Sequence, residues 1–416
     1  MSAWAEVHAA LLAEVRTSLG NFSINLNYTG ARRTVSHFMQ LASGQQPWRN
    51  TTTGAVVYNT PFYNGLTFYK KVDTSVPLQK YIQTGSRTGL ESDGAGYKLR
   101  DEIRYYAVGG GLVAPHGQWT VTMANTLIQS GTVTLPHSGS SQFLISLVND
   151  SSFDGKNSAF GVIETQFIEY NSNGVPTGVV TNGRSVVVDI FNSVVPVTIN
   201  SITFRRTDYW ATQFDETEAL AELPSVGSRV IRSISHGATN VTLTHSGAAS
   251  SEVRLFQSTD LLSWSPYPNA THYVPANTVS PTSVSLPHGG RPRMFYRLSS
   301  FDYQVDATPR HLLGTTVTVG LGTPEYIQFV FDAAGINPTY QRFSDGATGT
   351  LVYEYTPKGP FEAELLVTSP GLGDTTLYSL YFGGTDLDPS NVGLMKAYIF
   401  RAFQNGISSH FKITSP

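Results

Sequence analysis

The stretch that decides the fold reads Val253-Arg-Leu-Phe-Gln-Ser-Thr-Asp-Leu-Leu-Ser-Trp-Ser-Pro-Tyr267 and is completed by Arg293-Met-Phe-Tyr-Arg-Leu298. Apolar and polar residues alternate at its start, and a Ser-Thr-Asp turn then separates this run from a tryptophan. Period-two alternation broken by turn residues is typical of antiparallel β-strands. The stretch therefore predicts a strand, a tight turn, a second strand and a closing strand, packed around the core residues Leu255, Trp264, Phe295 and Tyr296.

The composition of the whole chain favours the same class of structure. Only 14% of the 416 residues are charged, glycine is abundant, and the residues that favour long helices are scarce. We therefore predict an all-β, multidomain protein of β-sandwiches or barrels with a short N-terminal helix. The absence of cysteine excludes disulfides, thiolate chemistry and cysteine-based metal sites. A net charge of −3 without a basic stripe argues against nucleic-acid binding.

The N-terminal segment carries apolar residues at helical spacing. Trp4, Val7, Leu11, Val15 and Leu19 recur at steps of three and four, and a Gly-Asn pair follows. This pattern predicts an amphipathic helix over residues 1–20. The helix could cap the first β domain, or its apolar stripe could pack against a neighbouring subunit. In the second case these five residues form the oligomer contact.

Turn residues and composition shifts divide the rest of the chain into four parts. Residues 21–213 alternate with period two between Gly, Pro and Asn turns, which predicts a β-sandwich or jelly-roll-like assembly domain. Within it, 160–170 and 178–191 are interpreted as long strands. An acidic run ended by Pro224 predicts a helical linker over 214–224. Residues 225–300 and 301–416 are predicted to be two further β domains, the second an up-and-down barrel or sandwich.

Two of these domains resemble known modules. The S-T-D-L-x-x-W … F-Y-R-L pattern at 258–298 resembles the fibronectin-III-like module of bacterial, Verrucomicrobia-type surface and secreted proteins. The run Leu313-Gly-Thr-Thr-Val-Thr-Val319 and the strands after it look like the lipocalin-like repeat found beside that module. The resemblance implies an architecture and brings no catalytic residues with it.

No constellation of residues predicts a catalytic or cofactor site. Glu164 and Glu169 fall on opposite faces of a regular strand, which is unsuited to a paired-carboxylate mechanism. The loops 149–155 and 386–391 carry oxygen ligands that Ca²⁺ accepts, but neither matches a complete calcium-binding loop. The histidines lack zinc-site spacing. We therefore expect no catalytic residue, no cofactor and no metal, with Ca²⁺ at these loops as the alternative.

These observations predict a non-enzymatic structural protein that self-assembles into a surface or virion structure, phage-tail-like or filamentous, and displays β modules outward. The expected partners are further copies of the chain, with other structural proteins or cell-surface glycans as alternatives. A carbohydrate-binding or adhesive protein using tyrosine platforms is the alternative function, and a polysaccharide-acting enzyme is the third. No signal peptide and no apolar run of about 18 residues is seen. The expected location is an extracellular assembly, a cell surface or a virion.

Overall fold

The computed structural model describes residues 10–75, 78–103, 115–128, 133–217, 222–228, 230–246, 250–274, 282–287, 293–304, 308–321, 326–372, 375–382, 395–401 and 404–414. Strands dominate these residues and helices are few, which confirms the predicted all-β class. The chain forms two compact units, one of Met1–Thr51, Val56–Thr126 and Ser138–Leu223, the other of Thr52–Ala55, Leu127–His137 and Pro224–Pro416. The finer domain boundaries stay predictions.

The N-terminal part of the chain, up to residue 223, contains fourteen strands and three helices among its described residues. They are β1 (Leu11–Thr17), β2 (Asn21–Leu26), α1 (Arg32–Ser43), β3 (Trp48–Arg49), β4 (Val56–Val57), β5 (Lys70–Ser75), β6 (Leu78–Thr84), β7 (Thr120–Met123), β8 (Leu127–Ile128), β9 (Val133–Thr134), β10 (Phe143–Ser146), β11 (Ala159–Ile163), β12 (Gln166–Tyr170), β13 (Pro176–Asn182), α2 (Gly183–Asn192), β14 (Ile199–Arg206) and α3 (Tyr209–Gln213).

Eight of these strands form one antiparallel sheet in the order β14-β1-β2-β11-β7-β10-β6-β5. The segment just before β5 also pairs with the start of β14, through a bridge between Thr67 and Thr198. The Phe68 amide donates to the carbonyl of Val197, and the Ile199 amide donates to the carbonyl of Leu66. These bonds join the two edges of the sheet, so the sheet closes into a barrel and leaves no exposed edge there.

The interior of the barrel is aromatic. Phe38 of α1 is fully buried, and its ring lies 5.3–6.0 Å from the rings of Tyr63, Phe143, Phe160 and Phe204. The helix ends at Gly44, whose φ of +81° and two amide bonds back to the last turn are those of a left-handed cap. Helix α1 was not predicted, because we expected no helix between residue 20 and the linker.

The predicted N-terminal helix is wrong for the described part of that segment. Residues Leu11–Thr17 form β1, which pairs with β2 on one side and with β14 on the other. Leu11 and Val15 are fully buried in the barrel, whereas Leu19 lies in the following turn and is 46% exposed. They therefore share no exposed stripe that could contact a subunit. Trp4 and Val7 lie outside the described residues.

Two further predictions on this part of the chain fail. The predicted long strand at 178–191 ends at Asn182, whose side chain caps α2 by accepting from the Ser185 amide. Val187 is one of the valines that suggested a strand, and it lies on the buried side of that helix instead. In the predicted 214–224 linker helix, the described residues 214–217, 223 and 224 are not helical, 222 alone has 3-10 geometry, 218–221 lie outside the described residues, and α3 ends at Gln213.

The part of the chain after Pro224 contains sixteen strands among its described residues. They are β15 (Ser225–Val226), β16 (Ile231–His236), β17 (Asn240–His245), β18 (Ser251–Ser258), β19 (Ser265–Val274), β20 (Thr282–Pro287), β21 (Phe295–Asp302), β22 (Thr315–Leu321), β23 (Ile327–Phe331), β24 (Thr339–Arg342), β25 (Thr348–Thr350), β26 (Val352–Gly359), β27 (Glu362–Thr368), β28 (Thr376–Tyr381), β29 (Met395–Arg401) and β30 (Gln404–Thr414).

These strands build three sheets. A four-stranded sheet, β15-β21-β18-β19, and a three-stranded sheet, β16-β17-β20, share a core of Val241, Leu243, Leu255 and Leu286, as two layers of a sandwich do. The nine remaining strands form one antiparallel sheet in the order β25-β24-β23-β22-β30-β29-β28-β27-β26. Its edge strands β25 and β26 are consecutive in the chain, and it has its own apolar core.

The stretch 253–267 folds as strand, turn and strand, but its tryptophan is not in the core. Asp260 fixes the turn by accepting from the amides of Leu262 and Ser263 at 2.8 and 2.7 Å. The indole N–H of Trp264 donates to the Leu261 carbonyl, and the guanidinium of Arg297 lies 4.0 Å from its ring centroid. Trp264, Phe295 and Tyr296 are half-buried, and only Leu255 of the four predicted core residues is buried.

Candidate functional site

A compact apolar cluster lies on the outer wall of the barrel, where β5, β6 and β10 run side by side. We call Val72, Tyr81, Leu144 and Phe153 the outer-wall cluster. Tyr81, Leu144 and Phe153 are 4%, 3% and 7% exposed, and Val72 is half-buried. Leu144 faces outward because its neighbour Phe143 points to Phe38 in the barrel interior and side chains alternate along a strand. Pairing of β10 with β6 and of β6 with β5 then places Tyr81 and Val72 on the same outward face.

A half-buried cation stands at the rim of this cluster. Lys70 lies opposite Gln83 in the β5–β6 pair, its ammonium forms an ion pair with Glu91, and it lies 5.8 Å from the centroid of the Tyr81 ring. Burial alone would lower the pKa of Lys70, but the Glu91 carboxylate and Tyr81 outweigh it and raise the pKa above its ordinary value. Lys70 is therefore charged at neutral pH beside an apolar surface.

A network of amide side chains fixes the strand next to Lys70. Gln83 Nε2 donates to the Tyr69 hydroxyl at 2.9 Å and to Gln142 Oε1 at 2.8 Å, while Gln142 Nε2 donates to the Asp93 carbonyl at 2.6 Å. The Asp93 carboxylate in turn accepts from the amides of Arg87 and Thr88. The network thus ties the loop that carries Glu91 to the outer face of β6 and β10.

The loop that carries Phe153 is fixed by two acidic residues. Asp150 caps the short 3-10 helix Ser151–Phe153 by accepting from the Ser152 amide at 2.9 Å. Asp154 accepts from the backbone amide of His116 and lies 2.8 Å from its Nδ1. Burial lowers the pKa of His116, and Asp154 offsets only part of this effect. The Phe153 ring packs edge-on against Tyr81 with centroids 5.8 Å apart.

The acidic residues that the sequence suggested for other chemistry have structural partners. Glu164 accepts from Asn25, and Glu169 forms a two-bond ion pair with Arg16. In the loop 149–155, where Ca²⁺ was the alternative to no metal, Asp150 and Asp154 make the contacts just described, and 386–391 lies outside the described residues. Among the residues that the structure describes, no group of three or more histidine or acidic side chains is placed to hold a metal ion. Within the same ranges, no helix has the length and apolar character to cross a membrane.

Residues 12–170 match the family model "Cyclophilin type peptidyl-prolyl cis-trans isomerase/CLD". Peptidyl-prolyl cis-trans isomerase B of Streptomyces anulatus is 29% identical over 153 residues, covering 37% of this chain and 76% of the relative. A probable peptidyl-prolyl cis-trans isomerase A of Mycobacterium bovis is 26% identical over 198 residues, covering 47% and 92%. A crystal structure of a Cryptosporidium parvum cyclophilin in the presence of the dipeptide Ala-Pro has a TM-score of 0.30 at 15% identity, covering 47% of this chain and 99% of that one.

These matches overturn several predictions from the sequence. The fibronectin-III-like identification is wrong, because the match lies at 12–170 and points to an isomerase family. The prediction of a non-enzymatic, self-assembling surface or virion protein is wrong for the same reason, and so is the adhesive alternative. The predicted homo-oligomer and glycan partners are likewise wrong, because the match to an isomerase family does not support them. The extracellular, cell-surface or virion location stays a prediction.

The residues of the outer-wall cluster were not predicted as a site. They come from separate segments, and each is unremarkable where it stands in the sequence. One signal was available: residues two apart on a strand share a face, so the run Tyr69-Lys-Lys-Val72 places Lys70 on the same face as Val72. That signal alone does not show what the lysine faces.

Proposed function

We propose that the N-terminal unit is a peptidyl-prolyl cis-trans isomerase that binds a proline-containing segment against the outer-wall cluster. The match of residues 12–170 to an isomerase family supports the reaction class. The observation that carries the site is the charged Lys70 at the rim of an apolar surface. A proline ring is apolar and compact, so it suits such a surface, while its imide bond would lie at the rim.

The reaction has a simple physical requirement. The planar imide is stabilised by resonance, and rotation about it crosses a barrier of about 18–20 kcal/mol. When the bond is twisted, the nitrogen regains a localised lone pair and the carbonyl loses part of its negative charge. A donor directed at the nitrogen therefore interacts with the twisted state and hardly at all with the planar one. Interactions made only in the transition state accelerate a reaction.

Lys70 is the group that can supply this donor. Its ammonium is fixed by Glu91 rather than free to rotate in solvent, and the neighbouring Tyr81 ring keeps one side of it dry. A charged donor is stronger than a neutral one, and a partly dry surrounding strengthens it further. The apolar cluster contributes in a second way, because a less polar surrounding disfavours the more dipolar planar imide relative to the twisted one.

The test measures exchange between the cis and trans forms of a short peptide with one Ala-Pro bond, by two-dimensional exchange NMR, with the full chain as catalyst. We expect the wild-type chain to raise the exchange rate. Lys70→Met should lower kcat/KM by about 10- to 150-fold, the value of a hydrogen bond to a charged group of about 1.5–3 kcal/mol. Lys70→Arg keeps the charge and should retain part of the activity.

Lys71→Met is the matched control. Lys71 is the next residue on β5, is exposed, and donates to the Ser193 carbonyl, away from the outer-wall cluster. It should leave the rate unchanged. If the wild-type chain does not accelerate exchange, the proposed function is refuted. If Lys70→Met and the wild type have equal rates, only the role of Lys70 is refuted.

A further inference from the structure

Two histidines meet between the two layers of the sandwich in the second unit. His245 ends β17 of the three-stranded sheet, and His272 lies on β19 of the four-stranded sheet. Their Nε2 atoms are 3.0 Å apart. His245 is fully buried and His272 is half-buried, so solvent reaches the pair from the His272 side.

The hydrogen bond on the other side of the His245 ring fixes its tautomer. Nδ1 of His245 lies 3.0 Å from the carbonyl oxygen of Ser246, which can only accept. Nδ1 therefore carries the proton, and Nε2 presents its lone pair towards His272. A metal-bound imidazole almost always donates its other N–H to a carboxylate, a backbone carbonyl or water, and His245 has such a partner.

The separation of the two nitrogens suits a shared metal ion. With metal–nitrogen bonds of about 2.0–2.1 Å, a separation of 3.0 Å corresponds to an angle of about 94° at the metal. A tetrahedral ion would need about 3.3 Å. An angle near 90° is that of tetragonal and octahedral coordination, which Ni²⁺ and Cu²⁺ prefer with nitrogen and oxygen ligands.

A further oxygen faces the same place. Thr282 lies directly opposite His245 in the β17–β20 pair, so both side chains project from the same face of the sheet. Its Oγ1 is buried and has no hydrogen-bond partner among the described residues.

We propose that His245 and His272 form a binding site for a divalent transition metal of the Ni²⁺ or Cu²⁺ type, with water completing the coordination. One ligand comes from each layer, so the bound ion joins the two sheets. Metal that binds only the folded state stabilises it by mass action. The competing explanation is a single proton shared between two imidazoles, which needs no metal and gives no such stabilisation.

The test uses the full chain without an affinity tag, titrated with Ni²⁺ by calorimetry and unfolded thermally with and without Ni²⁺. His272→Gln and His245→Gln should each lose one equivalent of bound Ni²⁺ and the Ni²⁺-dependent rise in the unfolding temperature. His236→Gln is the matched control, because His236 is exposed at the end of the adjacent strand β16. It should keep both.

Equal stoichiometry and equal stabilisation in the wild type and His272→Gln would overturn the proposal. His245 is buried, so its variant could fail to fold; circular dichroism checks this, and His272→Gln then decides. As a measurement on the unaltered protein, Cu²⁺ electron paramagnetic resonance should show two coordinated imidazole nitrogens in one bound species. A spectrum with one nitrogen or none contradicts the site.

Discussion

Shortening Leu144 to alanine tests whether the outer-wall cluster binds substrate. Leu144 is 3% exposed and pairs with Gln83 on one side and Thr122 on the other, so the cavity forms in the middle of the cluster. Large-to-small core changes of this kind cost about 2–5 kcal/mol in the free energy of unfolding. We expect the lower half of this range, because the half-buried Val72 at the rim lets water reach part of the cavity.

The effect on catalysis follows from the same three lost carbons. At about 0.8 kcal/mol for each buried methylene, they are worth about 2.4 kcal/mol. Leu144 is 3% exposed, so its loss acts on a bound proline ring mainly by letting Tyr81 and Phe153 shift into the cavity, and we take about half of this value, about 1.2 kcal/mol, as the loss at the binding surface. The expected result is a fall of about eightfold in kcat/KM, carried mainly by KM.

Ile145→Ala is the control for a loss of stability alone. Ile145 is the next residue on β10, is fully buried, and faces the barrel interior. Both variants should unfold at lower urea concentration, and only Leu144→Ala should lose activity at a temperature where both are folded. If the two variants keep the same kcat/KM, the substrate does not touch the outer-wall cluster and the proposed binding mode is refuted.

Three further results are expected. Phe38→Ala should lower the unfolding free energy of the first unit by about 3–5 kcal/mol, because Phe38 contacts four rings of the core. Urea unfolding measures this loss, and a loss below about 1 kcal/mol contradicts this packing. Burial lowers the pKa of His37 to about 3, so as the pH falls the unfolded chain takes up this proton before the folded chain does. The free energy of unfolding should therefore fall as the pH drops from about 6.5 towards 3, by at most about 1.4 kcal/mol per pH unit. His37→Gln should flatten urea midpoints over that window, and an unchanged slope would show that His37 is not the group responsible. Burial would raise the pKa of Asp93, but the hydrogen bonds to its carboxylate outweigh burial and lower this pKa. The stabilisation of the folded state by Asp93 is therefore present above the unfolded pKa and is lost in acid. Asp93→Asn should speed amide hydrogen exchange at Arg87 and Thr88, and unchanged exchange there would show that the carboxylate does not hold the loop.

The turn at Ser258–Ser263 shows how far local sequence reasoning reaches. Asp260 next to serines predicts a turn because its carboxylate can accept from amides two and three residues further on, and it does. Whether Trp264 is buried depends on what a strand distant in the sequence places over it. Arg297 covers one face of the ring, and that contact joins residues more than thirty positions apart.

The N-terminal strand shows why the wrong element was predicted. Leu11, Val15 and Leu19 are four residues apart, and a spacing of four fits both a helical turn and an alternating strand. The pattern therefore could not choose between them. The choice is made by β14, almost two hundred residues later, whose backbone groups pair with those of β1 along its whole length. Without β1 between them, β2 and β14 would each keep an unpaired edge.

The sequence by itself determined the class of the fold and local turns such as Ser258–Ser263, because strand alternation and turn-forming side chains act over a few residues. Tertiary structure alone decided the candidate sites. Lys70, Tyr81, Leu144 and Phe153 become neighbours through strand register on the barrel wall, and His245 meets His272 only where two sheets pack. Such contacts depend on which strands pair over long separations, and that is set by the packing of the whole domain rather than by any local pattern.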